Sequence, residues 1–183
     1  MEPGRQLLEH ILILRCQIGD KDALAELINR YHRPLRYFIR HLSGNAEMVE
    51  DLFQDTWVSV IGKIGTLRNL DMFPAWLYRI ARNKVYQQFR RKKTFVELDG
   101  NMNVQAEIPE SAFAPEDAAK IHVCLKELRL EHREVLVLRF LEQMSYQQIS
   151  DVLGCNLNTV KSRIHYAKLA LKRKMEGIHG KES

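Results

Sequence analysis

The segment from Ser145 to Tyr166 constrains the fold more than any other stretch of the chain. Ser145 and Gln148 stand at the S-x-x-Q spacing of a capping box, in which the hydroxyl accepts the N–H of the third helical residue and the amide reaches back to the cap. A helix therefore opens at 146. Ile149, Val152 and Leu153 give it one apolar stripe. Gly154 suits the left-handed backbone that reverses the chain after a helix ends. Asn156 or Asn158 can cap the next helix, in which Val160, Ile164, Ala167 and Leu171 step by four, three and four residues and line one face for a core. The opposite face then carries Thr159, Lys161, Ser162, Arg163, His165 and Lys168. This is the layout of a helix-turn-helix, with donors at the N-terminal end suited to base edges and cations suited to phosphates. A merely solvated basic hairpin would need capping box, turn glycine and basic second helix to coincide by accident.

Charge is arranged in blocks along the 183 residues. The net balance is only +5, from 28 Lys and Arg against 23 Asp and Glu. Yet seven cations and no acid fall between Arg79 and Lys93, and six cations and no acid fall between Lys161 and Lys174. Between them, Val96 to Asp117 holds six acids and no cation, together with Gly100, Pro109 and Pro115. Lacking any apolar period, this stretch reads as a linker. Its 22 residues reach at most about 70 Å when extended, against about 34 Å for one turn of duplex DNA. Its negative charge would discourage it from lying on phosphates, and a merely solvated loop would look the same.

Both flanks show apolar residues at three- and four-residue spacing, with no sustained alternation, so the class is all-α: two small helical domains joined by a flexible acidic linker, the C-terminal one a helix-turn-helix. The expected boundaries are 1–95, 96–117 and 118–183. Helices are expected near 5–17, 20–42, 45–64, 74–92, 116–128, 131–142, 146–153 and 158–175, with Asn45 as the cap of the third.

The helix near 74–92 opens with Pro74 in the first turn, where proline costs least. Leu77, Ile80, Ala81, Val85 and Phe89 form its apolar face, and Arg79, Asn83, Tyr86 and Arg90 form a cationic one, with Arg82 beside it. Phe73, Trp76, Tyr78, Tyr86 and Phe89 are interleaved with these cations, an arrangement that stacks unpaired bases beside a neutralised backbone. Aromatics at helical spacing are more often core, and Trp76 and Phe89 are read mainly so. The preceding stretch, Gly65 to Met72, is a short loop with Arg68 and Asn69, placed to hold an extruded base. The helix near 45–64 differs in charge: Glu50, Asp51, Gln54 and Asp55 face outward, while Leu52, Phe53, Thr56, Val60 and Ile64 face inward. Such a face repels DNA; it can dock a basic protein, with Trp57 as an anchor, or simply be a solvated acidic face, which spacing alone favours.

Several classes are excluded. There is no G-x-x-x-x-G-K-[ST], H-E-x-x-H or G-x-S-x-G, so no catalytic residue is assigned and an enzyme is not expected. The histidines are scattered, with His32 and His41 read as surface or boundary residues, and Cys16, Cys124 and Cys155 lack a C-x-x-C spacing; no metal or other cofactor is expected. The most apolar N-terminal run, Leu7 to Leu14, is broken by Glu9 and His10, so neither signal peptide nor membrane insertion is expected and the location is cytoplasmic.

Glu50-Asp51-Leu52-Phe53-Gln54-Asp55-Thr56-Trp57, then Ala75-Trp76-Leu77-Tyr78-Arg79-Ile80-Ala81-Arg82-Asn83, then Arg133-Glu134-Val135-Leu136 followed by Ser145-Tyr146 and Thr159-Val160-Lys161-Ser162-Arg163, occur in this order. In these motifs the chain resembles the extracytoplasmic-function (ECF) sigma factors of bacterial RNA polymerase, from about Asp20 to Met175. The resemblance implies a factor that binds core polymerase through Glu50, Asp51, Gln54, Asp55 and Trp57. It implies that the minus-ten element, duplex and unpaired non-template strand alike, is bound through Arg68, Asn69, Arg79, Arg82, Asn83, Tyr86 and Arg90. The minus-thirty-five element would be read by Thr159, Lys161, Ser162, Arg163, His165 and Lys168. It also implies an anti-sigma partner. Departures from the family pattern are Leu128-Arg129 for Leu-Pro, Asn158 for Gly, Tyr166 for Arg, and an uncommon loop at 65–72. The alternative is a stand-alone helix-turn-helix regulator that dimerises on duplex DNA, which leaves the block at 73–93 without a role.

Overall fold

The computed structural model describes residues 3–96, 121 and 123–179, and among them there are helices and no strand. The described residues are carried by helices that run from 7 to 24 residues in length. α1 (Pro3–Gln17) is followed by α2 (Lys21–Ser43), α3 (Val49–Ile61) and, after two 3-10 turns at Ile64–Thr66 and Leu70–Met72, α4 (Phe73–Val96). In the second half come α5 (Leu130–Leu136), which runs into a π turn at Val137–Leu141, then α6 (Tyr146–Leu153) and α7 (Leu157–His179). Residues 123–126 are also helical. Residue 121 is helical as well, 127 and 128 already form a turn and a bend, and positions 116–120 and 122 of the helix expected at 116–128, with the acidic stretch from 97 to 117, lie outside the described residues.

The ends of these helices follow from local chemistry. Asp20 caps α2 by accepting the N–H groups of Asp22 and Ala23, both at 3.0 Å, which neutralises donors that have no partner inside the helix. Gly44, at φ 66°, closes it, its N–H donating to the Arg40 carbonyl at 3.0 Å. The capping box of α6 is formed as the sequence predicts: Gln148 N–H donates to the Ser145 hydroxyl at 3.1 Å, and Ser145 N–H donates to the Gln148 amide oxygen at 2.9 Å. Gly154 follows at φ 64°. Of the two asparagines offered as caps for the next helix, Asn156 serves; its Oδ1 accepts both the N–H and the hydroxyl of Thr159.

Two expectations are corrected. The third helix starts at Val49, not at 45: the Asn45 side chain accepts the Glu47 N–H and closes a turn outside the helix, leaving Met48 at the cap position with no side-chain bond. The helix expected at 131–142 is regular only to Leu136, because the following five residues widen into the π turn before Gln143 takes a left-handed backbone at φ 53°.

Ala23, Leu27, Tyr31, Leu35, Phe38, Ile39 and Leu42 make the buried stripe of α2, around which α1, α3 and α4 assemble. Tyr31 meets Phe73 edge-on at 5.6 Å between ring centroids, and Phe38 meets Tyr78 at 5.1 Å, the T-shaped geometry that ring quadrupoles favour. In the second half, Val135, Val137, Leu138, Ile149, Val152, Val160, Ile164 and Ala167 form the interior. The two groups of helices pack against each other: α5 lies on α2, and α6 lies on α4. Polar contacts pin this seam. Arg133 donates to the His41 carbonyl at 2.7 Å, Arg82 pairs with Glu134 at 2.5 Å, and the Tyr78 hydroxyl donates to Glu142.

Candidate nucleic-acid interface

α7 is held by the capped turn and by Val160, Ile164 and Ala167, all buried. With that face fixed, the helical period turns Lys161, Ser162, His165 and Lys168 outward, and these are exposed, while Thr159 and Arg163 are half-buried. Thr159 is committed to Asn156 through both its N–H and its hydroxyl, and the Ser162 hydroxyl donates back to the Thr159 carbonyl at 3.1 Å. Arg163 lies 3.9 Å from the exposed Glu131, a separation at which water and salt compete freely. Lys168 sits over the Phe140 ring at 5.0 Å. Tyr166, which the sequence reading set aside, is 60% exposed beside His165.

On α4, Arg79, Asn83 and Arg90 are exposed, and Tyr86 is half-buried against Phe89. Phe73 and Tyr78 are 0% and 1% exposed, so the packing removes them from any base-stacking surface; Trp76 is half-buried. Arg82 is occupied. Its guanidinium stacks over the Tyr86 ring at 4.4 Å and holds the Glu134 carboxylate, which is fully buried. Burial pushes the Glu134 carboxyl upward and the Arg82 charge opposes the shift.

The stretch 65–72 is more ordered than a plain loop. Two 3-10 turns bracket Leu67, Arg68 and Asn69, and the Asn69 side chain accepts the Asp71 N–H at 3.1 Å. Arg68 and Asn69 are exposed at its tip.

α3 presents Asp51, Gln54 and Asp55 to solvent, with Glu50 half-buried and paired to Arg36 at 2.5 Å. The inward residues match expectation: Leu52, Phe53, Thr56, Val60 and Ile64 are all buried. Trp57 is corrected. At 4% exposure it packs edge-on to Phe53 inside the core, because its place in the helix lies on the same side as Phe53 and Val60. The exposed apolar residues here are Val58, at 68%, and Ile61, at 51%. The sequence signal for them was two aliphatics on the side of α3 opposite the Leu52 stripe.

Glu134 and Glu142 were also missed as contact residues. Glu142 reaches from the end of the π turn toward Tyr78, and its charge also acts on Tyr31 and Tyr37. Burial pushes it up to about 7, against the lowering effect of the Tyr78 hydrogen bond. The available signal was an acid within Arg133-Glu134-Val135-Leu136-Val137-Leu138, an apolar run that a charge enters only with a partner. Among the described residues no group of acids, histidines and cysteines is arranged to hold a metal ion, and no helix is long and apolar enough to cross a membrane.

Two family models match the chain: sigma-70 region 2 over residues 27–95 and sigma-70 region 4 over residues 118–171. The chain is 27% identical over 179 residues to the ECF RNA polymerase sigma factor SigW of Bacillus subtilis (strain 168), covering 91% of this chain and 96% of that one. It is 30% identical over 138 residues to the ECF sigma factor EcfG of Rhodopseudomonas palustris (strain TIE-1), covering 75% and 76%. Similar solved structures are the sigma factor RpoE in complex with the anti-sigma factor NepR from Bartonella quintana and CnrH in complex with the cytosolic domain of CnrY. The first has a TM-score of 0.75 at 27% identity and covers 83% of this chain and 96% of that one. The second has a TM-score of 0.69 at 25% identity and covers 93% and 98%.

The chain therefore belongs to the sigma-70 family and, within it, to the ECF RNA polymerase sigma factors. It binds core RNA polymerase and promoter DNA and directs promoter-specific transcription initiation. The stand-alone dimeric regulator is set aside, since the match to region 2 gives the block at 73–93 a role.

Proposed function

We propose that the chain works by binding alone, without a catalytic step of its own, and that it does so in the cytoplasm through three separate surfaces, two on an N-terminal domain at 1–95 and one on a C-terminal domain at 118–183, with 96–117 as the linker between them. Thr159, Lys161, Ser162, Arg163, His165 and Lys168 read the minus-thirty-five duplex. Arg68 and Asn69 take an unpaired non-template base of the minus-ten element, helping to keep the promoter open, with Arg79, Arg82, Asn83, Tyr86 and Arg90 on the adjacent backbone. Glu50, Asp51, Gln54 and Asp55 meet a basic surface of the polymerase, and Val58 and Ile61 add apolar area to that contact. The observation that carries the reading is the sidedness of α7: Val160, Ile164 and Ala167 are buried while Lys161, Ser162 and His165 are exposed, which is what a groove-reading helix requires. An anti-sigma partner is part of the proposal, supported by the two similar structures, each a complex with an inhibitor or a partner's cytosolic domain. An open apolar groove between Leu125, Leu136, Phe140 and Leu171 offers such a partner a surface.

Run-off transcription with purified bacterial core enzyme tests the division of labour. Lys161→Ala with Arg163→Ala should abolish promoter selection while core association, measured by pull-down, is kept. Asp51→Ala with Gln54→Ala should lose core association, and run-off with it, while binding of the free protein to a minus-thirty-five duplex is kept. Loss of core association in the first variant, or of duplex binding in the second, would contradict the assignment.

A further inference from the structure

α1 has no part in the interfaces above, and the match to sigma-70 region 2 begins only at residue 27. Nevertheless one side of this helix is built against the loop that carries Arg68 and Asn69. Gln6, His10, Ile13 and Gln17 step by four, three and four residues and so share a face. Ile13 is fully buried. At one end of the loop the Gln17 amide uses both of its N–H groups, donating to the Ile64 carbonyl at 2.9 Å and to the Leu67 carbonyl at 2.8 Å. At the other end a single oxygen of Asp71 receives the Gln6 amide at 2.6 Å and lies 3.0 Å from His10 Nε2. Only Arg68, Asn69 and Leu70 stand between the two attachments; Arg68 and Asn69 are exposed, and Leu70 is half-buried.

The helix that makes these attachments is itself rigidly seated. Leu12 is buried, as is Glu9, which accepts the Tyr31 hydroxyl at 2.8 Å and sits 3.4 Å from Arg30; Arg30 in turn donates to the Arg5 carbonyl at 2.9 Å. A donor pair that fixes two backbone carbonyls on either side of a turn sets the direction in which the following side chains leave the chain. An amide is suited to this, since it spans two acceptors with one planar group.

We propose that α1 shapes the base-taking loop, with Gln17 as its positioning residue and Asp71 as its second attachment. The proposal rests on the reading of Arg68 and Asn69 given above. Without the Gln17 amide the Ile64 and Leu67 carbonyls turn to water, the two exposed side chains sample several directions, and discrimination between bases falls more than binding does.

The test uses holoenzyme assembled from full-length protein and bacterial core, incubated with a library of fluorescent single-stranded decamers of randomised sequence. Sequencing of the bound fraction gives a base preference at each position, which is a ratio within one preparation and therefore independent of the fraction folded. Gln17→Ala should flatten the strongest preference about fivefold to tenfold, leaving core association unchanged. Asp71→Ala should flatten it less, and Asp71→Asn, which still accepts from Gln6, should restore it. Asn69→Ala with Arg68→Ala is the control for the underlying reading. If that double variant keeps the wild-type preference, the loop does not take a base and the reading fails. If it loses the preference while Gln17→Ala keeps it, α1 is only structural and the positioning proposal is overturned.

Discussion

Removal of Arg82 should damage the packing of the two helical groups more than removal of the charge it neutralises. In Arg82→Ala, the Glu134 carboxylate is left with 0% of its side chain exposed and without its main counter-charge, only the weaker effects of Arg163 and the Tyr86 hydroxyl remaining. A buried ion pair broken from one side costs about 3–5 kcal/mol, because the remaining charge has neither water nor partner. Glu134→Gln leaves a neutral amide whose oxygen still accepts from the guanidinium, and Arg82, 19% exposed, reaches water; loss of charge assistance in such a hydrogen bond costs about 1–2 kcal/mol. The double variant should therefore be more stable than Arg82→Ala alone. For a chain of this size each kcal/mol moves the melting midpoint by about 2–4 °C, so Arg82→Ala should melt on the order of 10 °C below wild type at pH 7.5. Acid should partly relieve it. Burial already raises the Glu134 carboxyl, and without Arg82 nothing comparable opposes the shift, so protonation removes the penalty as pH falls. Thermal unfolding followed by circular dichroism at pH 7.5 and 5.5, with all three variants, provides the comparison. If Glu134→Gln costs as much as Arg82→Ala, or fails to rescue it, the pair is not what holds α4 to α5.

Three further outcomes follow from the geometry. Glu142 titrates near 7 in the folded chain against 4.5 when exposed, so the folded state holds its proton more tightly by about 3 kcal/mol. With the folded value raised, this contribution is complete below about pH 4.5 and is lost as pH rises through 7. Glu142→Gln should therefore flatten the fall in melting temperature between pH 5 and 8 and raise it at pH 8 by up to about 10 °C, whereas an unchanged slope would remove Glu142 from the seam. Gly154→Ala places a Cβ on a backbone at φ 64° where nothing lies within 4 Å, so its cost is conformational alone, about 1–2 kcal/mol. Gly154→Asn should cost about half as much in urea unfolding, since asparagine tolerates that backbone. Lys161→Ala should lower the slope of log affinity against log salt by about one for a minus-thirty-five duplex, measured by fluorescence anisotropy; an unchanged slope would mean that Lys161 does not meet a phosphate.

The parts of the molecule that were legible in the sequence are those governed by neighbours within about four positions. The Ser145 to Gln148 box, the left-handed Gly154 and the apolar steps of α7 are decided by hydrogen bonds and side-chain spacing inside one or two turns, so reading them needs no knowledge of the fold. Where two local solutions competed, the reading failed. Asn45 could cap a helix or close a turn, and it closes a turn onto Glu47. The reading of Trp57 as an outward anchor fails too, since its four- and three-residue spacing from Phe53 and Val60 puts it on the buried side with them. Partners distant along the chain left almost no trace. Arg82 and Glu134 are 52 residues apart, and Gln17 is 50 residues from Leu67. Arg82 is the instructive case, because its place on a basic helix argued for a phosphate while its nearest anion in the fold is a carboxylate. A cation on a helical face records that an anion will be met; which anion depends on what the second half of the chain brings alongside. Here the Arg82 guanidinium gives its Nε to Glu134 and is 19% exposed, so any contact it makes with the minus-ten backbone has to be shared with that carboxylate.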